Sequence, residues 1–246
     1  MTGHDPFRAT PNGDGSRLAF QEVVPPEPIN ACGPIHLVVG GSDGADLTAE
    51  VTGDSICAEW PEWSPDGALL TYAHVDLDQP PGLEGQLCIL NGGSLAQITC
   101  FADPIISIGH RTFSPDGTML MAQAFRVISV SDGMEVPDPL AAAEGTTPVL
   151  AAGELGNAIV NAVESIGFTL VAGGDGGEVL PISVDWSPDH KLVFDALASE
   201  NGGQESVHIF VYDMRTGGAQ HISGPFEETD TNDHNYSLLC PRWIAD

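Results

Sequence analysis

The stretch PEWSPDGALLTYAH, Pro61 to His74, returns as HRTFSPDGTMLMAQ (His110 to Gln123) and again as VDWSPDHKLVFDA (Val184 to Ala196). Each copy opens on an aromatic residue followed by Ser-Pro-Asp and then a short apolar run. The copies are Trp63-Ser64-Pro65-Asp66-Gly67, Phe113-Ser114-Pro115-Asp116-Gly117 and Trp186-Ser187-Pro188-Asp189, with His190 where the others have glycine. One copy reads as a turn between two antiparallel strands. Proline presets φ, aspartate caps the turn backbone, and glycine accepts positive φ. Three copies read as a structural repeat. The third turn must differ in detail, because His190 carries a side chain where the others have none.

Outward from each turn the pattern continues. ALLTYAH, QLCIL and LAQIT read as three strands, the last two joined by an NGG hairpin. RLAFQEV, IHLVVGGSDG and ADLTAEV match them upstream, and KLVFDAL, VHIFVYDMRTGG and AQHIS downstream. Each unit is a meander of about four strands over roughly 50 residues, the size of a propeller blade. Trp60, Trp63, Trp186 and Trp243 recur with the repeat, and packing between neighbouring sheets accounts for them better than a sugar platform.

The W-S-P-D-G turn, its following strand, and the IFVYDMRTGG-like strand and turn together resemble the TolB-type, WD40-like β-propeller repeat. The resemblance is clear at 61–100, 111–124 and 184–223, degenerate at 10–48 and poor at 135–180. It implies a propeller, often extracytoplasmic and often used for protein contact, without fixing an activity.

The turn aspartates Asp14, Asp66, Asp116 and Asp189 are spaced by 52, 50 and 73 residues. Aligning Trp243 with Trp63 places Asp246 on Asp66, so the final segment reads as the first strand of a blade. The N-terminal segment reads as the remaining three strands of such a blade. The expectation is an all-β, single-domain propeller over 1–246, of four or five blades, closed by pairing of N- and C-terminal strands. The long third unit holds an atypical insertion or degenerate blade at about 135–180, rich in alanine, with a helix-like run around Gly156–Ile166. Glycine-rich VAGGDGGEVL (171–180) reads as a hairpin turn.

Thirty-five acids against seven bases give a formal net charge of −28, and Lys191 is the one lysine. Such a surface repels phosphate backbones, which excludes nucleic acid as a partner. The acids are spread along the chain, as on a salt-adapted surface that holds water and cations, or on an acidic subunit docking a basic partner. Nothing approaches 18 consecutive apolar residues, so no transmembrane helix is encoded. No signal peptide is visible either, and Met1 is native or stands where a leader was removed. Family habit favours the periplasm or cell exterior. The five cysteines (Cys32, Cys57, Cys88, Cys100, Cys240) include no CxxC, which leaves one or two disulfides in an exported protein, or small buried side chains.

The letters of GxSxG occur at 40–44 (GGSDG), where they read as the hairpin turn after IHLVV rather than a nucleophile elbow, and no GxxxxGK[ST] or HExxH is present. The acidic loop EETDTNDHNY places Asp230, Asn232, Asp233 and His234 close together, oxygen-rich ligands suited to calcium, although it lacks the glycine and closing glutamate of an EF-hand. DLDQPPGLEG (76–85) has a weaker acidic set. His110 and His234 enter turn segments and are the candidates for a channel mouth. The leading expectation is a non-enzymatic binding scaffold or accessory subunit with a protein partner and no required cofactor, its contact supplied by rim loops and the apolar 135–180 segment. The alternative is a metal-dependent lyase or hydrolase, or a small-ligand binder, using the channel mouth.

Overall fold

The computed structural model describes residues 6–23, 35–43, 48–50, 52, 55–78, 85–101, 111–121, 125–173, 178–179 and 183–226. The chain divides into two compact units, Met1–Ile108 and Gly109–Asp246.

In the first unit, strands β1 (Pro6–Pro11), β2 (Arg17–Val23), β3 (Ile35–Gly41) and β4 (Thr48–Glu50) form one antiparallel meander. Strands β5 (Ile56–Trp63), β6 (Leu69–Asp76), β7 (Gly85–Asn91) and β8 (Gln97–Phe101) form a second. A single parallel bridge, Ile35 to Cys57, joins the two into one sheet. The middle of β3 and of β6 is buried without alternation, as in strands covered on both faces. Leu37, Val39, Trp63, Leu70, Tyr72 and Leu90 are central to the core between the meanders. Each such side chain contributes about 1.5–3 kcal/mol of apolar burial.

The first meander corrects an expectation. The strand ahead of its turn, assigned from sequence to the C-terminal segment, is β1, paired with β2 from Pro6↔Glu22 to Pro11↔Leu18. Two prolines hid it. They stand at its two ends, on an edge strand, where a missing N–H costs least. Trp243 and the rest of the final segment lie outside the described residues.

The cysteines are not merely small core side chains. Cys88 and Cys100 face each other across β7 and β8 and are disulfide-bonded, and Cys57 is disulfide-bonded too.

The second unit departs further from the repeat. Strands β9 (Thr112–Phe113), β10 (Met119–Met121) and β11 (Val127–Ser129) make a three-stranded sheet. Helix α1 (Pro139–Glu144) and helix α2 (Glu154–Ser165) follow, within the 135–180 segment that reads as an insertion or degenerate blade. Then come β12 (Phe168–Leu170), the small hairpin β13 (Ala172–Gly173) and β14 (Glu178–Val179), β15 (Ser183–Trp186), β16 (Lys191–Glu200), β17 (Glu205–Asp213) and β18 (Gly218–Phe226). The long strand β16 has two partners along one edge. β15 pairs with its Leu192–Asp195 half, and β12 pairs with Ala198–Glu200.

Helix α2 buries Leu155, Ile159, Ala162 and Val163, one stripe at helical spacing. They pack with Phe168, Leu170, Phe194 and Phe210 into a core that also includes Met119, Met121, Phe125 and Trp186. The apolar stripe of α2 is therefore the inward side of a helix completing the core, while Val149 and Ile166 of the same 135–180 segment remain exposed. Among the described residues no helix is long and apolar enough to cross a membrane.

Candidate interaction site

The Ser-Pro-Asp turns are built alike. Ser64 Oγ donates to Asp66 Oδ1 (2.7 Å) and accepts from the Leu69 N–H (2.8 Å), while Asp66 Oδ1 accepts from the Ala68 N–H (2.9 Å). Ser114 repeats this with Asp116 (2.6 Å) and the Met119 N–H (2.9 Å). Gly67 and Gly117 stand at φ 69° and 72°, the left-handed region that only glycine enters freely. In the third turn His190 takes that conformation at φ 64°, and Ser187 Oγ accepts from the N–H of Lys191, four residues on rather than five. This turn is one residue shorter, and His190 bears the positive φ that glycine takes in the others. Asn12 plays the serine's part in the first turn, its Oδ1 accepting from the Arg17 N–H (2.9 Å).

Each turn is latched to the hairpin at the far end of the third strand. The N–H of Ser42, Gly92, Val130 and Met214 donates to the carbonyl of Ser16, Ala68, Thr118 and His190, at 3.0, 2.7, 3.0 and 3.1 Å. All four meanders thus end in a coupled pair of turns, carrying exposed Asp14, Asp66, Asp116, Asp132 and Asp189. Within the first unit neighbouring ends interlock. A Cβ on Gly13 would lie 1.9 Å from the Pro65 carbonyl oxygen, so glycine is required there. Arg17 lies over the Trp63 ring, 5.4 Å from its centre, and donates to the Gly92 carbonyl. In the second unit Thr112 Oγ1 donates to Asp185 (3.0 Å), tying β9 to β15.

These turn carboxylates are held ionised. The Ser64 hydroxyl and then the Ala68 N–H draw Asp66 below the usual carboxylate range. Ser16 does the same for Asp14, and the N–H of Met134 for Asp132. At Asp116 burial pushes upward, and the Ser114 and Thr118 hydrogen bonds outweigh it. Asp189 is lowered first by Lys191 and then by Ser187.

Beside the Asp116 turn lies an open cleft of about 500 Å³, lined by Met119, Val130, Val136 and Ala142 and by Thr118, Ser129 and Ser131. Its α1 wall is anchored by Asp138, which is buried. One oxygen caps α1 at the Ala141 N–H (3.0 Å), and the other accepts from Val149 (2.8 Å) and Leu150 (3.3 Å). Those N–H groups overcome burial and lower its pKa.

Trp63, Phe113 and Trp186 are buried at the ends of their strands, while half-buried Trp60 occupies a bulge of β5 at φ 54°. His110, Asp230, Asn232, Asp233 and His234 lie outside the described residues, as does Trp243. Among the described residues no three histidine, cysteine or acidic side chains come together to hold a metal. Two histidines scattered in sequence do meet. His208 Nδ1 lies 3.1 Å from His221 Nε2, and Phe168 stacks beside both. The signal was available only once β17 and β18 were set in register, because His221 lies opposite Phe210 beyond a bulge. Asp195 was likewise unremarked. It is buried, with one oxygen accepting from the N–H and hydroxyl of Ser183 and the other without a hydrogen-bond partner among the described residues.

No known family profile matches the chain, and no curated protein does. Among solved structures it is similar to U3-55K, with 9% identity over 90% of this chain and 52% of that one, at a TM-score of 0.51. The WD40 repeats of RRP9 match it at 9% identity over 91% of this chain and 52% of that one, also at 0.51. A TolB from Agrobacterium tumefaciens shares 17% identity over 91% of this chain and 63% of its own, at 0.49. The chain therefore spans about half the length of the WD40 structures it matches. Together with the repeated turns, the likeness to the WD40 structures shows a WD40-like β-propeller fold, and at such identity it shows the fold alone.

Proposed function

We propose that this chain is a non-enzymatic propeller scaffold, an accessory subunit that binds a protein partner through the turn-bearing ends of its repeats. The observation that carries the reading is the coupled pair of turns built in the same way at the end of all four meanders, each with an exposed carboxylate. Rigid, repeated hydrogen bonding presents polar groups at fixed positions, and a surface of net charge −28 favours a basic partner. The finer architecture belongs to the same proposal. Four repeats, β1–β4, β5–β8, β9–β11 with the two helices, and β15–β18, are blades of one propeller domain. The Cys88–Cys100 disulfide fits an oxidising, extracytoplasmic compartment, and the abundance of acids fits cation and water retention in salt.

The test is affinity capture from the native organism's extract at its own salt concentration, with mass spectrometry of what elutes. A parallel capture uses Asp14→Asn, Asp66→Asn, Asp116→Asn and Asp189→Asn combined. Asparagine keeps the turn acceptor and removes the charge. A single stoichiometric partner, weakened at least tenfold by the neutral variant with unchanged circular dichroism, is the expected result. No partner, or one indifferent to the four charges, overturns the reading.

A further inference from the structure

The cleft between the Asp116 turn, the 129–131 hairpin and α1 is walled by the helix on one side. Its floor is apolar, through Met119, Val130, Val136 and Ala142. Its margin is acidic. Exposed Asp116 directly precedes the lining residues Gly117 and Thr118, and exposed Asp132 directly follows Ser131. Each keeps one carboxylate oxygen on the turn backbone, Asp116 on the Thr118 N–H and Asp132 on the Met134 N–H. Such fixed carboxylates do not swing away from an incoming cation. The volume suits more than one side chain.

We propose that this cleft docks a basic side chain of the protein partner, the methylene stem of an arginine or lysine lying on the apolar floor and its charged head meeting Asp116 and Asp132. An apolar floor with a carboxylate on each of its two bordering turns matches the two halves of such a side chain, and matches neither a free metal ion nor an anionic ligand. Arginine is the better fit, because its planar head serves two carboxylates at once. The proposal rests on the scaffold reading and names the chemistry of the partner at one place on it.

The experiment titrates the full ¹⁵N-labelled chain with acetyl-Ala-Leu-Arg-Leu-Arg-Ala-amide, and with the same peptide carrying citrulline in place of both arginines. The expected result is saturable shifts concentrated at the amides of Thr118, Val130, Ser131 and Ala142, with at least tenfold weaker binding of the citrulline peptide. Ala142→Trp fills the cleft from an exposed helix position and is expected to abolish the shifts without altering circular dichroism. Asp116→Asn with Asp132→Asn is expected to weaken binding about tenfold. Equal binding of both peptides, or shifts spread evenly over the acidic surface, overturns the proposal. Capture of the native partner by Ala142→Trp at full strength also overturns it, while leaving the scaffold reading intact. Peptide binding with no partner captured from extract has the opposite meaning.

Discussion

Ser64 Oγ is at once donor to Asp66 and acceptor from the N–H of Leu69, the first residue of β6, so a single hydroxyl closes the turn. Ser64→Ala leaves the Leu69 N–H without that acceptor and is expected to cost about 1–3 kcal/mol in denaturant unfolding, whereas Asp66→Asn keeps the acceptor and costs less than about 1. Buried titratable groups give the second unit two opposing pH responses. Burial raises Asp195 to about 6, so the folded state gains stability as pH falls from there towards the ordinary value. Its ionisation above that point costs on the order of 3 kcal/mol. Burial, and then the nearby His221, hold His208 neutral. Stability from that group is complete above its ordinary value near 6.5 and is lost as pH falls through the lower folded value. Asp195→Asn is expected to be more stable than the native chain at pH 7.5, an advantage that shrinks on acidification to pH 5. His208→Phe is expected to gain stability relative to the native chain over the same interval. Unfolding curves at the two pH values check both, and parallel trends in the two variants contradict the assignment.

At the scale of elements, α2 decides whether the 135–180 segment is an appendage or part of the core. Ile159 is fully buried among Phe168, Phe194 and other residues of that core. Ile159→Ala is expected to cost about 2–5 kcal/mol. Deleting 140–166 is expected to unfold the second unit rather than only remove a binding surface, as read by loss of near-ultraviolet circular dichroism. The strands β2, β3, β6, β7, β16 and β17 were legible because apolar runs bounded by Asn, Gly and Asp signal hairpins directly. So was α2, from its periodicity. β1 was not, because proline is a strand breaker everywhere except at the ends and edges where β1 places it. The direction in which α2 faces was not legible either. A helical stripe announces that it is buried, but not against which neighbours.

For the whole molecule, charge acts on every part of the chain at once. A net charge of −28 with few cations to offset it places every carboxylate in the repulsive field of the rest. Salt shortens the range of that field to about 8 Å at physiological ionic strength and about 3 Å at 1 M. Thermal unfolding is therefore expected to shift upward by several degrees between 0.05 and 1 M sodium chloride, and a flat response contradicts a repulsion-limited fold. The turn residues of the candidate site were readable from the repeat itself, since Ser, Pro, Asp and Gly each have one mechanical use there. The cleft beside Asp116 was not. It depends on α1 being folded back by the three N–H groups gathered on Asp138, a closure that spans eleven and twelve residues and leaves no periodic trace.

The division of β16 between two partners has a consequence for motion. A strand zipped along its whole edge by one neighbour opens as a single event. Here the Leu192–Asp195 half is clasped by β15, next to the Ser187 turn, and the Ala198–Glu200 half by β12, which follows α2. On its opposite edge β17 runs unbroken from Lys191↔Asp213 to Ser199↔Glu205 and fastens the two halves together. Loosening of β12 by a disturbance at α2 therefore leaves β16 held along its other side, and the Ser187 turn keeps its place.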